Sequence, residues 1–230
     1  MSRQHFDATD PIARAMQSEG ASSSAILGAV AKLLASRHPG GGHLVDVGCG
    51  VGNLWPVVRQ RFDAYTGADV MRYAEFPSDA TFALIDPLSG RVDLPDAVAE
   101  VVCAVETIEH VENPRAFARE LTRLAKPGGW LIVTTPNQLS LLSKLTLLLR
   151  NEFNAFRAGS YPAHLTALLE VDLRRIAAEC GWTEVAVDYT RRGRVPGTAR
   201  HWPESLSRLA PRAFSDNVLL VGRKGSAADR

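Results

Sequence analysis

The sequence predicts an α/β fold, a doubly wound and mostly parallel seven-stranded sheet in a single domain spanning residues 1–230. Three observations predict it. Short apolar, strand-like runs alternate with helical stretches along the chain, the pattern that yields parallel strands joined by crossover helices. The run EVVCAV at residues 100–105 is apolar after its first residue and shows no alternation, as a strand covered on both faces requires. The run HLVDV at residues 43–47 ends directly in the glycine-rich turn GCGVG. Such a turn brings bare backbone close to a ligand at the carboxyl edge of a sheet.

Each element can be justified in order. Residues 1–20 are polar and irregular, with a short helix expected after Pro11. Residues 22–37 read as a helix because Ile26, Val30, Leu33 and Leu34 share one face. The segment from His38 through three glycines ends it. Residues 43–47 form the first strand, and residues 53–61 the first crossover helix, with Pro56 tolerated in its first turn. The second, third and fourth strands fall at residues 64–70, 81–85 and 100–105. A helix is expected over residues 113–125, stopped by Lys126-Pro127-Gly128-Gly129, and the fifth strand over residues 130–135. Residues 171–180 read as a helix closed by Gly181, and the last two strands fall at 184–189 and 217–222, before a loose tail at 225–230. Residues 1–38 thus form a helical extension before the first strand, and residues 138–165 a helical insert after the fifth.

Composition narrows the function classes. The chain is 46% apolar and 22% charged, ordinary for a globular protein. Its net charge of +1 gives no electrostatic case for broad nucleic-acid binding. Three cysteines, an odd number, and no apparent signal peptide point to free thiols in a reducing cytoplasm. No apolar run is long enough to span a bilayer.

The glycine turn separates two ligand classes. A dinucleotide loop spaces its glycines G-x-G-x-x-G. Here Asn53 occupies the place of the third glycine, and an acidic residue precedes the turn. The pattern D-x-G-C-G-x-G, formed by Asp46, Gly48, Cys49, Gly50 and Gly52, resembles the donor loop of class I S-adenosylmethionine-dependent methyltransferases. Asp69 ends the second strand about 20 residues later, where an acidic ribose ligand stands in such folds. Asp86 ends the third strand in LIDP, and the helix-LAKPGG-strand stretch is a further feature of the family. The resemblance covers residues 43–222 and implies the Rossmann-like methyltransferase fold. It also implies that Asp46, Gly48, Cys49, Gly50, Asn53, Asp69, Val70, Asp86, Pro87 and Glu106 bind the methyl donor, S-adenosylmethionine.

Past the fourth strand lies E-x-x-E-H: Glu106, Glu109 and His110. If the chain makes one helical turn there, positions i, i+3 and i+4 share a face. The motif resembles the metal site of ubiquinone-biosynthesis O-methyltransferases and of small-RNA 2′-O-methyltransferases. By that resemblance Glu106, Glu109, His110 and His164 would hold a divalent cation. Mixed oxygen and imidazole ligation admits Mg²⁺, Mn²⁺, Fe²⁺ or Zn²⁺. Glu-His at this place also occurs in methyltransferases without a metal, where His110 would act as a base or touch substrate with Glu109 orienting a neighbour. Both readings stand open. They make His110 and Glu109 the catalytic candidates.

In the insert, Leu141, Leu142, Leu145, Leu148 and Leu149 fall on one helical face and Ser140, Ser143, Lys144 and Asn151 on the other. That stripe could serve as a lid over the site, as a homodimer face, or as a peripheral membrane contact through residues 139–156. A greasy cover implies a hydrophobic or aromatic small-molecule acceptor. The Thr134-Thr135-Pro136-Asn137 segment and Leu165 depart from the quinone-pathway pattern, so the resemblance does not name the acceptor. Arg191, Arg192, Arg194, Arg200 and His201 form one basic loop, read as solvated or as a pocket for an anionic group, and too short to favour RNA. The expectation is a methyltransferase acting on a small-molecule hydroxyl with a divalent metal. The alternatives are a metal-free methyltransferase acting on oxygen, nitrogen or carbon, and a donor-binding partner protein without catalysis.

Overall fold

The structure, a computed structural model, describes residues 10–18 and 20–226. The expectations for residues 1–9 and 227–230 lie outside the described residues. Seven strands form one sheet in the order β3-β2-β1-β4-β5-β7-β6: β1 His43–Val47, β2 Ala64–Asp69, β3 Thr81–Leu84, β4 Ala99–Val105, β5 Ala125–Pro136, β6 Trp182–Tyr189 and β7 Asn217–Lys224. The first five run parallel; β7 is antiparallel to both β5 and β6. The doubly wound, mostly parallel sheet is as expected.

The two faces are separated by strand alternation. Along β4, Val102 and Ala104 pack with α4 (Pro114–Leu124) and α6 (Glu170–Glu179) through Leu121, Leu124, Leu173 and Ile176. Val101, Cys103 and Val105 point the other way, into the cluster of α2 (Ser24–Arg37) and α3 (Trp55–Val58). Ile26, Val30, Leu33 and Leu34 are all buried there, the face their spacing implied. Because helices cover both faces, ligands are left the carboxyl edge of the strands, where β1 and β4 lie side by side at the switch in strand order.

Three elements differ from the sequence expectations. The crossover helix expected over 53–61 is four residues of α-helix followed by a 3₁₀ turn, Arg59–Arg61, because Pro56 follows the first residue and the connection to β2 is short. The Lys-Pro-Gly-Gly stop belongs to β5 itself: Ala125 pairs with Ala99, and a register shift between Ala99 and Val101 absorbs the glycines. α7 (Glu204–Leu209) was not expected; its polar sequence has no apolar period. In α5 (Leu141–Arg150) the buried residue is Ser143, whereas Leu148 and Leu149 are 80% and 78% exposed. Ser143 turns inward because its hydroxyl donates to Gln138 Oε1 and accepts from the Asn154 N–H. No helix among the described residues is long and apolar enough to cross a membrane.

Candidate active site

A cavity of about 1140 Å³ opens at the carboxyl edge of β1, β2 and β4. One end is built by the glycine turn. The N–H groups of Gly48 and Cys49 donate to Ala68 O at 2.7 and 3.1 Å, tying the turn to the end of β2. Gly48, Gly50 and Gly52 all have positive φ. A Cβ on Gly50 would sit 1.9 Å from Gly20 O, and one on Gly48 would sit 2.2 Å from the Thr107 side chain. The glycines are therefore required by left-handed backbone and by close neighbours on both sides.

The carboxylates differ in environment. Asp69 Oδ2 accepts from Gly50 N–H (2.8 Å) and Oδ1 from Val70 N–H (2.7 Å), so the side chain is fixed at the cavity wall with lone pairs to spare. Burial raises its pKa, and those N–H bonds oppose the rise. Asp46 is 2% exposed; its Oδ2 accepts from Tyr65 OH at 2.9 Å, and its Oδ1 has no hydrogen-bond partner among the described residues. Burial pushes its pKa up to about 7, and the nearby Asp69 charge adds to this. Asp86 is exposed, and its Oδ1 accepts from Leu88 and Ser89 N–H, which lowers its pKa. Asp86, Pro87 and Val70 all line the cavity. Asn53 lines it too, but its Nδ2 donates to Ser22 O and so secures the segment before α2. Cys49 is buried, with its thiol pushed well up by burial.

The other end is built by the turn after β4 and by residues 159–164. Ile108–His110 is a 3₁₀ turn. Its Glu109 carbonyl accepts from Leu165 and Thr166 N–H at 2.9 and 3.1 Å, which docks the end of the insert against it. His110 Nδ1 bonds to Ala163 O (2.8 Å) and His164 Nδ1 to Ala155 O (2.6 Å). Both carbonyls require Nδ1 to donate, so in each neutral ring Nε2 carries the lone pair. The two rings meet edge to face, 4.8 Å between centroids. Ligand atoms of Glu109, His110 and His164 all lie within 4.8 Å of one another.

Glu109 is fully buried, and among the described residues neither carboxylate oxygen has a hydrogen-bond partner. Its pKa is raised far above the usual carboxylate range, first by burial and then by the Glu106 charge. Burial also lowers His110, to about 4, with His164 and Arg14 adding to the shift, and lowers His164. An orphaned buried carboxylate beside two anchored imidazoles is a donor set that fits a divalent cation.

Glu106 is not brought into that cluster. Its φ of 54° puts it in the left-handed region, outside the turn that follows, so the expected i, i+3, i+4 face does not form. Instead Oε1 accepts from Asn217 Nδ2 on β7, and the backbone N–H donates to Thr134 Oγ1 at 2.9 Å. Burial raises its pKa to about 7 despite the Asn217 bond. Glu106 lines the cavity between the glycine turn and His110, apart from the three-residue cluster.

The short helix expected after Pro11 forms as α1 (Pro11–Gln17); what the reading from sequence missed is that it lies across the cavity. Asp10 caps it through Ile12 N–H, Tyr73 OH donates to Ala15 O (2.7 Å), and Gln17 Nε2 donates to Tyr161 O (3.2 Å). Val51 N–H donates to Gly20 O, so the strap after α1 seats directly on the glycine turn. Asn217 and Arg14 were missed as well; neither belongs to a motif, and only the Pro11 helix start hinted at the latter. In the basic loop, Arg191 pairs with Asp188 and Arg194 with Asp216, so that cluster is partly neutralised within its own loop.

The geometry agrees with the comparisons to known proteins. The methyltransferase domain family matches residues 19–187. The chain belongs to this methyltransferase family. A 2-methyl-6-phytyl-1,4-hydroquinone methyltransferase from Synechocystis is 34% identical over 109 residues, 44% of this chain and 34% of that protein. A ubiquinone biosynthesis O-methyltransferase from Chromobacterium violaceum is 31% identical over 109 residues, 43% of this chain and 46% of that protein. The matched segments therefore span less than half the length of these curated relatives. A solved SAM-dependent methyltransferase from Archaeoglobus fulgidus shares the fold, with a TM-score of 0.59 at 16% identity over 86% of this chain and 94% of that one. The methyltransferase domain thus has the glycine turn, acidic strand ends and flanking helices that its sequence predicted.

Proposed function

We propose that this chain is an S-adenosylmethionine-dependent O-methyltransferase that acts on a hydroxyl of a small, hydrophobic or aromatic molecule, with a divalent cation held by Glu109, His110 and His164. One observation carries the reading: a buried carboxylate and two imidazoles converge at one end of a cavity whose other end is the glycine turn. The hydroquinone and ubiquinone pathway relatives support a ring-borne hydroxyl as the acceptor class.

In this reading the Gly48–Gly50 turn and Asp69 orient the donor, with the ribose on Asp69 and Asp86 at the purine end. Glu106, beside the turn, faces the donor's charged portion. The reaction is an in-line displacement: the acceptor oxygen forms a bond to the methyl carbon as the sulfur–methyl bond breaks. S-adenosylhomocysteine and a methyl ether leave, and the hydroxyl proton passes to solvent. Alignment and exclusion of water are the main tasks of the protein, and α1 with residues 159–164 supplies the cover. A cation bound at the cluster would supply charge that lowers the pKa of a chelated acceptor hydroxyl. Anchoring of both Nδ1 atoms by carbonyls holds the imidazoles in register for that task.

A second reading is favoured by the same Nδ1 bond: His110 Nε2, kept neutral at pH 7, would take the hydroxyl proton directly with no metal. Calorimetric titration of Mg²⁺, then Mn²⁺, into metal-stripped protein saturated with S-adenosylhomocysteine separates the two. Stoichiometric binding that is lost in Glu109→Gln, while S-adenosylhomocysteine affinity survives, is expected. Unchanged metal affinity in that variant would sink the metal reading. Failure to form S-adenosylhomocysteine with any hydroxylated acceptor would leave a donor-binding protein without catalysis.

A further inference from the structure

We propose that Asn217 is a positioning residue for the methyl donor: it holds the Glu106 carboxylate at the cavity wall, where that carboxylate meets the ammonium group of the donor's amino-acid portion. The inference rests on the donor orientation proposed above and names a residue behind the cavity wall on which that orientation depends. Glu106 lines the cavity; Asn217 is not among the described residues that do. Asn217 is the first residue of β7 and is buried, and its Nδ2 donates to Glu106 Oε1.

Glu106 needs such a hold. Its φ of 54° is a conformation that a glutamate keeps only where its surroundings impose it. Two bonds impose it here: the backbone N–H donates to Thr134 Oγ1 at 2.9 Å, and the side chain accepts from Asn217. Both anchors are buried and stand on neighbouring strands, Thr134 opposite Leu219 and Pro136 opposite Asn217. A group fixed by strands keeps its geometry better than one fixed by loops. The next residue ties the segment to the glycine turn: Thr107 Oγ1 donates to Val47 O at 3.3 Å, and its side chain fills the space a Gly48 Cβ would take. The carboxylate is thus set beside the turn. Asp46 and Asp69 line the cavity there as well, so this end favours a ligand that brings positive charge. Asparagine suits the task. Its amide N–H fixes one carboxylate oxygen and adds no charge, so the whole negative charge stays available to the ligand; a lysine or arginine would neutralise it.

The test uses two ligands. S-adenosylhomocysteine carries the ammonium group, and 5′-methylthioadenosine lacks the whole amino-acid portion. Each is titrated calorimetrically into the wild type, Asn217→Ala, Asn217→Asp, Glu106→Gln and the double variant Glu106→Gln with Asn217→Ala. Asn217→Ala should weaken S-adenosylhomocysteine by about tenfold. It should leave 5′-methylthioadenosine affinity unchanged, which also reports that the variant is folded. Asn217→Asp keeps the shape of the side chain but sets a second carboxylate against Glu106, and should weaken S-adenosylhomocysteine at least as much. Because Asn217 acts through Glu106, Asn217→Ala should cost nothing further once Glu106→Gln is present, whereas a merely structural role gives additive losses. Equal weakening of both ligands, or additive losses in the double variant, overturns the assignment. So does an Asn217 variant that loses Mg²⁺ binding and keeps S-adenosylhomocysteine affinity, since Glu106 would then belong with the cation. Failure of S-adenosylhomocysteine to bind the wild type would instead overturn the donor reading itself; normal binding that Asn217→Ala leaves unchanged overturns the role of Asn217 alone.

Discussion

Asp46 carries the clearest pH consequence of any single residue in the site. Its folded pKa of about 7 lies above the ordinary carboxylate value of 3.8. A carboxyl shifted upward favours the folded state fully below about pH 4, and that contribution is lost as pH rises through 7. The ceiling is on the order of 4 kcal/mol for a shift of this size. Asp46→Asn should therefore flatten the pH dependence, gaining Tm relative to the wild type between pH 5 and 8. Parallel thermal unfolding of the two proteins across that range checks it, and a constant Tm difference would refute the buried-charge account. Gly50→Ala tests the turn: with φ at +53° and Gly20 O only 1.9 Å from the added carbon, either the turn or the strap must move. S-adenosylhomocysteine affinity should fall by about tenfold or more, as read by calorimetry.

Among the elements, α4 shows how local sequence signals and packing agree. Asn113 accepts from Ala116 N–H at 3.0 Å, Pro114 fills the first turn, and Leu121 and Leu124 are fully buried against the sheet. Asn113→Ala should cost about 1 kcal/mol in denaturant unfolding. Leu121→Ala should cost about 2–5 kcal/mol. A larger loss from the cap than from the core would contradict this account. In α5 the pattern left a lid, a homodimer face and a membrane contact open. Leu148 and Leu149 of its leucine stripe are exposed, while Ser143 is sequestered by Gln138 and the Asn154 N–H. Periodicity identifies a stripe; it does not say which side the rest of the chain covers. The cover over the site comes from α1 and residues 159–164 rather than from α5.

For the whole molecule, the cavity couples parts that are distant in sequence: the α1 strap, the glycine turn, the turn after β4 and the insert all line it. A ligand that bridges them stabilises the folded chain by mass action. S-adenosylhomocysteine at about 100 times its dissociation constant should add about 2.7 kcal/mol and raise Tm by roughly 5–10 °C for a chain of this size. Differential scanning calorimetry with and without the ligand checks it, and an unchanged Tm would argue against donor binding in the cavity.

The sequence by itself determined the sheet and the glycine-turn end of the cavity. Strand alternation, the unbroken apolar run of β4, the glycine turn and the acidic residues at Asp46, Asp69 and Asp86 are local signals, carried by residue type and short-range spacing. Only the tertiary structure decided which members of E-x-x-E-H lie together. Glu106 is turned away by its left-handed backbone and held by Asn217, more than a hundred residues downstream, while His164 is brought to His110 through bonds from Leu165 and Thr166 to the Glu109 carbonyl. The same holds for Arg14, whose burial follows from α1 lying across the cavity and not from any pattern around it. Spacing along a chain fixes which side chains share a face of one element; contacts between elements depend on how the whole sheet and its connections close.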